Sequence, residues 1–294
     1  MYKIERIDNE IINVATKKRI KDKKTLHFIK TLRIPPAYHN VHISHDINSK
    51  ILAYGYDTKD RKQVIYNKWF IEQQQNNKFQ RVNELEPVFN RINRHIKKKL
   101  LESIAKNTID KNALICLLLR IMMLCNFRIG NDKYTKEYCS YGLTTLEWQH
   151  ILPYKNDKII ISFIGKKGVK NESILSDKHV IKLLRTHYVN KHYINKFNCR
   201  VFEYEIIHKD GSANIHSISA KDVNDYLQKF DDNITCKDIR TWRANCLYMQ
   251  YYKQSKIENE RKRQIETIKK VALELHNTPT VCKKDYISPE LLEG

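Results

Sequence analysis

The sequence predicts an α+β protein in which a small β-rich N-terminal domain, residues 1–76, precedes a larger, mainly helical domain, residues 77–294. Three observations predict it. Short β-branched and aromatic runs broken by turn residues dominate the N-terminal part; a polar, patternless stretch, Gln73 to Lys78, follows; beyond it apolar residues recur at three-to-four spacing. A chain of 294 residues also exceeds the size at which a single hydrophobic core stops growing, so two domains are the simpler expectation.

The N-terminal strands are read from Val41-His42-Ile43, Ile51-Leu52-Ala53-Tyr54 and Val64-Ile65-Tyr66, the last two separated by the polar turn Asp57-Thr58-Lys59-Asp60. Gln73 to Lys78 reads as a linker. Helical spacing begins with Val88, Phe89, Ile92 and Ile96 and returns in the apolar run Ala113 to Cys125. One interruption is a hairpin: Lys158 to Ile164 as a strand, Gly165-Lys166-Lys167-Gly168 as a turn, and Val169 to Leu175 as the return strand, with lysines at the tip. Helices are expected over Asp177 to Asn195, Ala220 to Phe230, Ile239 to Tyr252 and Ile257 to Leu275, and a less regular tail containing Pro279 and Pro289 ends the chain.

Charge narrows the partners. Lys and Arg number 54 against 33 Asp and Glu, a net charge of +21, and a surplus of that size needs an anionic partner such as nucleic acid or an acidic membrane surface. The most apolar run, Ala113 to Cys125, is too short to span a bilayer and contains Arg120, and the N-terminus has no apolar signal-peptide core, so an intracellular protein is expected. The seven cysteines are odd in number and form no Cys-x-x-Cys pair, which favours reduced thiols over a zinc site or a disulfide framework. His39, His42 and His45 are spaced by three in an extended segment, a spacing that splits them between two faces, so no metal is expected there.

Four segments each place a cationic or nucleophilic group beside a glycine or a structure break, where a backbone can approach a phosphate. They are Asn126 to Tyr134, which contains Arg128 and Gly130; Phe163-Ile164-Gly165-Lys166; Lys237-Asp238-Ile239-Arg240-Thr241-Trp242; and His276 to Tyr286. Their order, an Arg, a hairpin Lys, a Lys-x-x-Arg and a Tyr near the C-terminus, resembles the active-site series of type IB DNA topoisomerases, above all the small poxvirus-type enzymes and their giant-virus and bacterial relatives. Arg33-Ile34-Pro35-Pro36-Ala37-Tyr38 and Gly55-Tyr56-Asp57-x-x-x-Arg61-x-Gln63 resemble segments of that family's N-terminal domain, so the likeness runs from about residue 30 to the C-terminus.

The resemblance implies a C-shaped clamp around duplex DNA and a monomer that relaxes supercoils through a DNA-(3′-phosphotyrosyl) intermediate without ATP, metal or other cofactor. It implies Tyr286 as nucleophile, Arg128 and Arg240 on the scissile phosphate, and Lys166 as general acid or as a phosphate contact. Gln63, Tyr66, Lys133, Tyr134 and Lys167 fall at positions expected to touch the duplex. Val64 stands where a poxvirus-type enzyme has a base-contacting Tyr, so the cleavage preference of those enzymes is not carried over. Poxvirus-type enzymes place a phosphate-binding His nine residues before the nucleophile; here that position is Asn277, whose amide can donate instead. His276 is the alternative, but one residue of shift turns a helical side chain by about 100°, so both cannot face the same oxygen.

The chemistry asks for the same residue types. A phosphodiester under attack gathers negative charge on its nonbridging oxygens, which fixed guanidiniums offset, and a phenolate is both an adequate nucleophile and an acceptable leaving group. The bond energy is stored, so no nucleotide is required, and the chain has no Gly-x-x-x-x-Gly-Lys-[Ser/Thr] loop. Two other functions compete: a tyrosine recombinase, against which Lys237 stands where recombinases usually have His, and an inactive DNA-binding or packaging protein. A virion or host cytoplasm is the expected location if the source is viral, with the nucleus also open.

Overall fold

The computed structural model describes residues 2–7, 10–190 and 198–293. The chain divides into two compact units, Met1–Gln80 and Arg81–Gly294.

In the first unit, strands β1 (Tyr2–Ile7), β2 (Glu10–Asn13), β3 (Lys18–Arg19), β4 (His39–Ile43), β5 (Ile51–Tyr56) and β6 (Lys62–Tyr66) form one sheet in the order β3-β2-β1-β4-β5-β6, with α1 (Lys23–Thr31) between β3 and β4 in the chain. Every neighbouring pair is antiparallel. Side-chain alternation sends Val41, Ile43 and Ala53 inward, where they join Ile4 and the Ile29, Leu32 and Ile34 of the α1 region in one core. Asp22 caps α1 by accepting from the Thr25 N–H at 2.7 Å, and Arg33 turns the chain in the left-handed region ahead of Pro35 and Pro36.

The motif Asp57-x-x-x-Arg61-x-Gln63 closes the β5–β6 turn. Asp57 accepts from the Lys59 and Arg61 backbone N–H groups, from Arg61 Nε at 2.9 Å and from Gln63 Nε2 at 3.0 Å. These donors, the Arg61 guanidinium foremost, hold its carboxyl well below the usual carboxylate range.

Two expectations for this region are corrected. Gln73 to Lys78 is helix, not linker: it lies inside α2 (Lys68–Glu84), and the boundary between the units falls within that helix, after Gln80. Gln, Lys and Glu are adequate helix formers, and the anchors that bury the helix, Phe79 and Val82, come after the polar stretch. His39 and His42 are not split between faces, because Asn40 adopts a left-handed φ of 48° at a register shift in β4 and both rings line one recess with Tyr54, Tyr56 and Asp60. His39 pairs with Asp60 at 2.9 Å and His42 stacks on Tyr54. Among the described residues no group of three His, Cys, Asp or Glu side chains is placed to hold a metal ion.

The second unit is built on α3 (Glu86–Lys106) and α4 (Lys111–Cys125). The spacing read from the sequence buries Phe89, Ile92 and Ile96 of α3, and α4 is enclosed on nearly all sides. Lys111, in its first turn, pairs with Asp222 at 2.7 Å, and Arg120, inside the apolar run, is satisfied by Asp177 at 2.9 Å and by Asn93. After α5 (Asp132–Tyr138), strands β7 (Ile151–Pro153), β8 (Ile159–Ile164) and β9 (Lys170–Leu175) form a three-stranded sheet; β8 and β9 are the expected hairpin within a residue at each end. The helix α6 (Lys178–Asn190) follows, and the further residues 191–195 assigned to it from the sequence lie outside the described residues. An exposed hairpin, β10 (Glu203–Ile207) with β11 (Ala213–Ser217), had no sequence reading.

The last part comprises α7 (Ala220–Leu227), α8 (Cys236–Gln254), α9 (Glu260–Glu274), α10 (Pro279–Asp285) and α11 (Glu290–Glu293). The tail expected to be less regular holds two short helices separated by turns, the first started by the Thr278 cap and by Pro279 in the first turn. A second core joins Ala244, Leu247 and Tyr248 of α8 to Ile268, Val271 and Ala272 of α9 and to Cys282 of α10. Among the described residues no helix is long and apolar enough to cross a membrane.

Candidate active site

The buried α4 delivers Arg128. The helix stops at Asn126, which takes a left-handed φ of 54° and returns its N–H to the Met122 carbonyl at 2.8 Å. Phe127 then turns inward between Phe163 of β8 and His276, with ring centroids 4.9 and 5.1 Å away. The following loop is clasped by residues 142–144: Leu143 N–H donates to the Arg128 carbonyl at 3.0 Å and Thr144 N–H to that of Ile129 at 2.7 Å. Gly142 permits the contact, since a Cβ there would lie 2.6 Å from the Gly130 nitrogen and 2.9 Å from the Arg128 oxygen.

Arg240 comes from the first turns of α8. Thr235 and Asp238 form a capping box, Asp238 accepting from the Thr235 N–H at 2.9 Å and its hydroxyl at 2.6 Å, and Arg81 pairs with the other carboxylate oxygen. Two residues on, the Arg240 guanidinium is 4% exposed, donating Nη1 to the Asn126 carbonyl and Nη2 to that of Leu275 at 3.2 Å. Its Nε has no hydrogen-bond partner among the described residues. Burial pushes the group below its usual range, with Tyr286 opposing that shift and Arg128 adding to it. A guanidinium stays protonated in such a setting, so the site holds a desolvated positive charge held by two carbonyls and the Tyr286 side chain, with no carboxylate among these partners, which favours an incoming anion.

The C-terminal helices complete the cluster. At the end of α9, His276 and Asn277 return their N–H groups to Leu273 and Ala272, with His276 at a φ of 52°. Asn277 Oδ1 accepts from Arg128 Nη2, while its Nδ2 is buried without a partner among the described residues. His276 turns elsewhere: its Nε2 is 3.3 Å from the Cys125 carbonyl, its ring stacks on Phe127, and burial lowers its pKa. Tyr286 ends α10 half-buried, its ring centroid 5.4 Å from the Arg240 guanidinium carbon.

Arg128, Arg240, Asn277 and Tyr286, dispersed over 159 positions of the chain from 128 to 286, therefore form one cluster of cations, an amide and a phenol. Lys166 stands exposed at the tip of the β8–β9 hairpin with Lys167, which takes a left-handed φ of 64°. Lys170, across the turn, pairs with Glu172 at 2.6 Å. Lys133 and Tyr134 project from the short helix α5, where Lys133 approaches Glu137 at 3.9 Å and Tyr134 neighbours Tyr138. Gln63 and Tyr66 belong to the first unit, Gln63 tied to Asp57 and Tyr66 partly exposed against Phe70.

Residues 62–291 match the family model of the eukaryotic DNA topoisomerase I catalytic core, and residues 14–57 match that of the bacterial DNA topoisomerase IB N-terminal domain. The chain belongs to the type IB DNA topoisomerases. It is 31% identical over 285 residues to DNA topoisomerase 1B of Acanthamoeba polyphaga mimivirus, covering 92% of this chain and 80% of that one. Over 255 residues it is 25% identical to DNA topoisomerase I of monkeypox virus and to DNA topoisomerase 1B of vaccinia virus (strain Copenhagen), covering 83% of this chain and 72% of each relative.

Three supports of this topoisomerase's site escaped the sequence reading. Gly142 carried no signal, because its role is to leave room for a distant loop. Asp238 was legible only as a capping residue, the Arg81 pairing being long-range. Asn245, buried mid-helix in α8, was the most readable, since asparagine is a weak helix former and is buried when its amide has fixed partners.

Proposed function

We propose that this topoisomerase cuts one strand of duplex DNA by attack of Tyr286 on a phosphodiester, holds the end as a 3′-phosphotyrosyl ester, and reseals it when the freed 5′-hydroxyl returns. The observation that carries this reading is the buried Arg240 guanidinium, which faces the Tyr286 ring beside an Arg128–Asn277 pair that retains an unpartnered amide N–H. Two guanidiniums and an amide offset the charge that gathers on nonbridging oxygens, and Lys166 on its hairpin protonates the departing 5′ oxygen. Gln63, Tyr66, Lys133, Tyr134 and Lys167 contact the duplex, which a monomer encloses as a C-shaped clamp with residues 1–76 as its DNA-binding half. Its place of action is inside the cell or virion, wherever the duplex is. Metal and ATP have no assigned role in this scheme.

The test is relaxation of a supercoiled plasmid in EDTA without ATP, followed by peptide mapping of the covalent adduct. Wild-type protein is expected to relax positive and negative supercoils; an absolute Mg²⁺ requirement would contradict the scheme. Tyr286→Phe is expected to bind DNA through the +21 surface while forming no adduct, and a normal adduct yield would move the nucleophile elsewhere.

A further inference from the structure

From the hydrogen bonds around the end of α10 we infer that Asn245 is a positioning residue for the nucleophile, holding the backbone on both sides of Ile287 so that the Tyr286 side chain meets the reacting phosphorus in line. The inference rests on the assignment of Tyr286 as nucleophile. The Asn245 side chain is 8% exposed and every one of its main capacities is used. Nδ2 donates to the Tyr286 carbonyl at 3.1 Å and to the Thr241 carbonyl at 2.8 Å, and Oδ1 accepts from the Ser288 N–H at 2.8 Å.

The need for such a clasp follows from how α10 ends. The helix has seven residues and stops at Tyr286, whose N–H still reaches the Cys282 carbonyl at 3.0 Å, whereas its own carbonyl has no next turn to receive it. The primary amide of Asn245 replaces that turn, offering a donor to the carbonyl and an acceptor to the N–H two residues later. No other side chain of this length carries both in one plane: Asp has no donor, Leu and Ala have neither, and Ser cannot span the pair. Ile287, between the two bonds, is buried in the α8–α9–α10 core, which fixes the clasp from its other side.

Arg240 and Asn245 lie on the same helix, α8. The spacing between the guanidinium beside the tyrosine ring and the amide on the tyrosine backbone is therefore set within one rigid rod and does not depend on packing elsewhere. The two asparagines of the site divide the work: the Asn277 nitrogen is left unpaired, whereas the Asn245 nitrogen is fully occupied by protein. A group whose donors are all taken cannot serve substrate, so its effect must pass through Tyr286.

The two directions of the reaction separate positioning from a general structural role. A free tyrosine must find the phosphorus, whereas a tyrosine already esterified is held by its own bond, so loss of the clasp slows cleavage more than religation. An error of about 1 Å in placement costs on the order of 10²-fold. Asn245→Ala and Asn245→Asp are compared with wild type in single-turnover cleavage at saturating enzyme, and religation is followed on preformed covalent complex, which only folded, active molecules supply. The expected result is cleavage slowed about 10²-fold by both variants, religation slowed less than tenfold, and a smaller covalent fraction at equilibrium. Equal slowing of both steps, or lost amplitude with unchanged rate constants, would overturn the inference. Mapping the wild-type adduct to a residue other than Tyr286 would instead remove the assignment beneath it.

Discussion

Asn277→Ala and His276→Ala, adjacent substitutions, are expected to have very different effects on cleavage. Asn277 offers a buried N–H with no protein partner and anchors Arg128 through its oxygen. Removing one donor of an oxyanion site costs about 10²- to 10³-fold in rate, or about 2.7–4 kcal/mol, and the unanchored Arg128 adds to that loss. His276 is spent on the Cys125 carbonyl and the Phe127 ring, two contacts worth about 1 kcal/mol each that act on stability more than on rate. Its loss is expected to slow cleavage less than tenfold. The assay is single-turnover cleavage of a labelled duplex at saturating enzyme, repeated across pH 5.5 to 8. An amide donor does not titrate, so the wild-type rate should show no step near 6.5 from this position. The reverse ranking of the two variants, or such a step abolished by His276→Ala, would assign the phosphate contact to the histidine.

Three further outcomes are expected. Lys166→Ala should slow cleavage of ordinary DNA by about 10²- to 10⁴-fold, and a 5′-bridging sulfur, which leaves as a thiolate, should restore most of the rate; equal slowing on both substrates would make Lys166 a phosphate contact. Gly142→Ala forces its new methyl against Gly130 and the Arg128 carbonyl, so it should destabilise the second unit by about 1–3 kcal/mol and slow cleavage by roughly 10²-fold, as melting and single-turnover rates would report. The folded-state pKa of His276 is lowered, chiefly by burial, so the unfolded chain binds the extra proton first. Stability from this group is complete above the unfolded value near 6.5 and declines as pH falls below it, and His276→Asn should flatten the fall in melting temperature between about pH 6.5 and 5.

What was legible in the sequence was whatever periodicity or local chemistry encodes. The Phe89, Ile92, Ile96 spacing gave one central helix, the β-branched run Ile159 to Ile164 with its Gly165 to Gly168 turn gave the hairpin, and the unbroken apolar run gave the buried α4. The helix across Gln73 to Lys78 was not legible, because a polar surface helix has no stripe until its anchors Phe79 and Val82 appear at the far end. The shared side of His39 and His42 was equally hidden, since it depends on one left-handed residue, Asn40, within a strand. In the candidate site, residue types and their order were visible through the family resemblance. What the sequence lacked was the arrangement: that Asn277 spends its oxygen on Arg128, that His276 faces inward, and that Asn245 clasps the end of α10 are all contacts across more than 40 positions of chain.

The Asp57 knot in the first unit fixes which end of the Gln63 amide faces outward, and so what the proposed contact with the duplex can recognise. An amide ordinarily flips to present either end, but the ionised carboxylate beside it accepts only, so the Gln63 nitrogen must point inward to Asp57 and the oxygen away. A major-groove edge meeting that oxygen must therefore supply a hydrogen, as adenine N6 and cytosine N4 do, whereas guanine presents two acceptors, O6 and N7. If Gln63 meets a base as proposed, this turn sets the polarity of the contact: Asp57→Asn, by giving the neighbour a donor of its own, would free the amide to turn over and is expected to blur discrimination between adenine and guanine there.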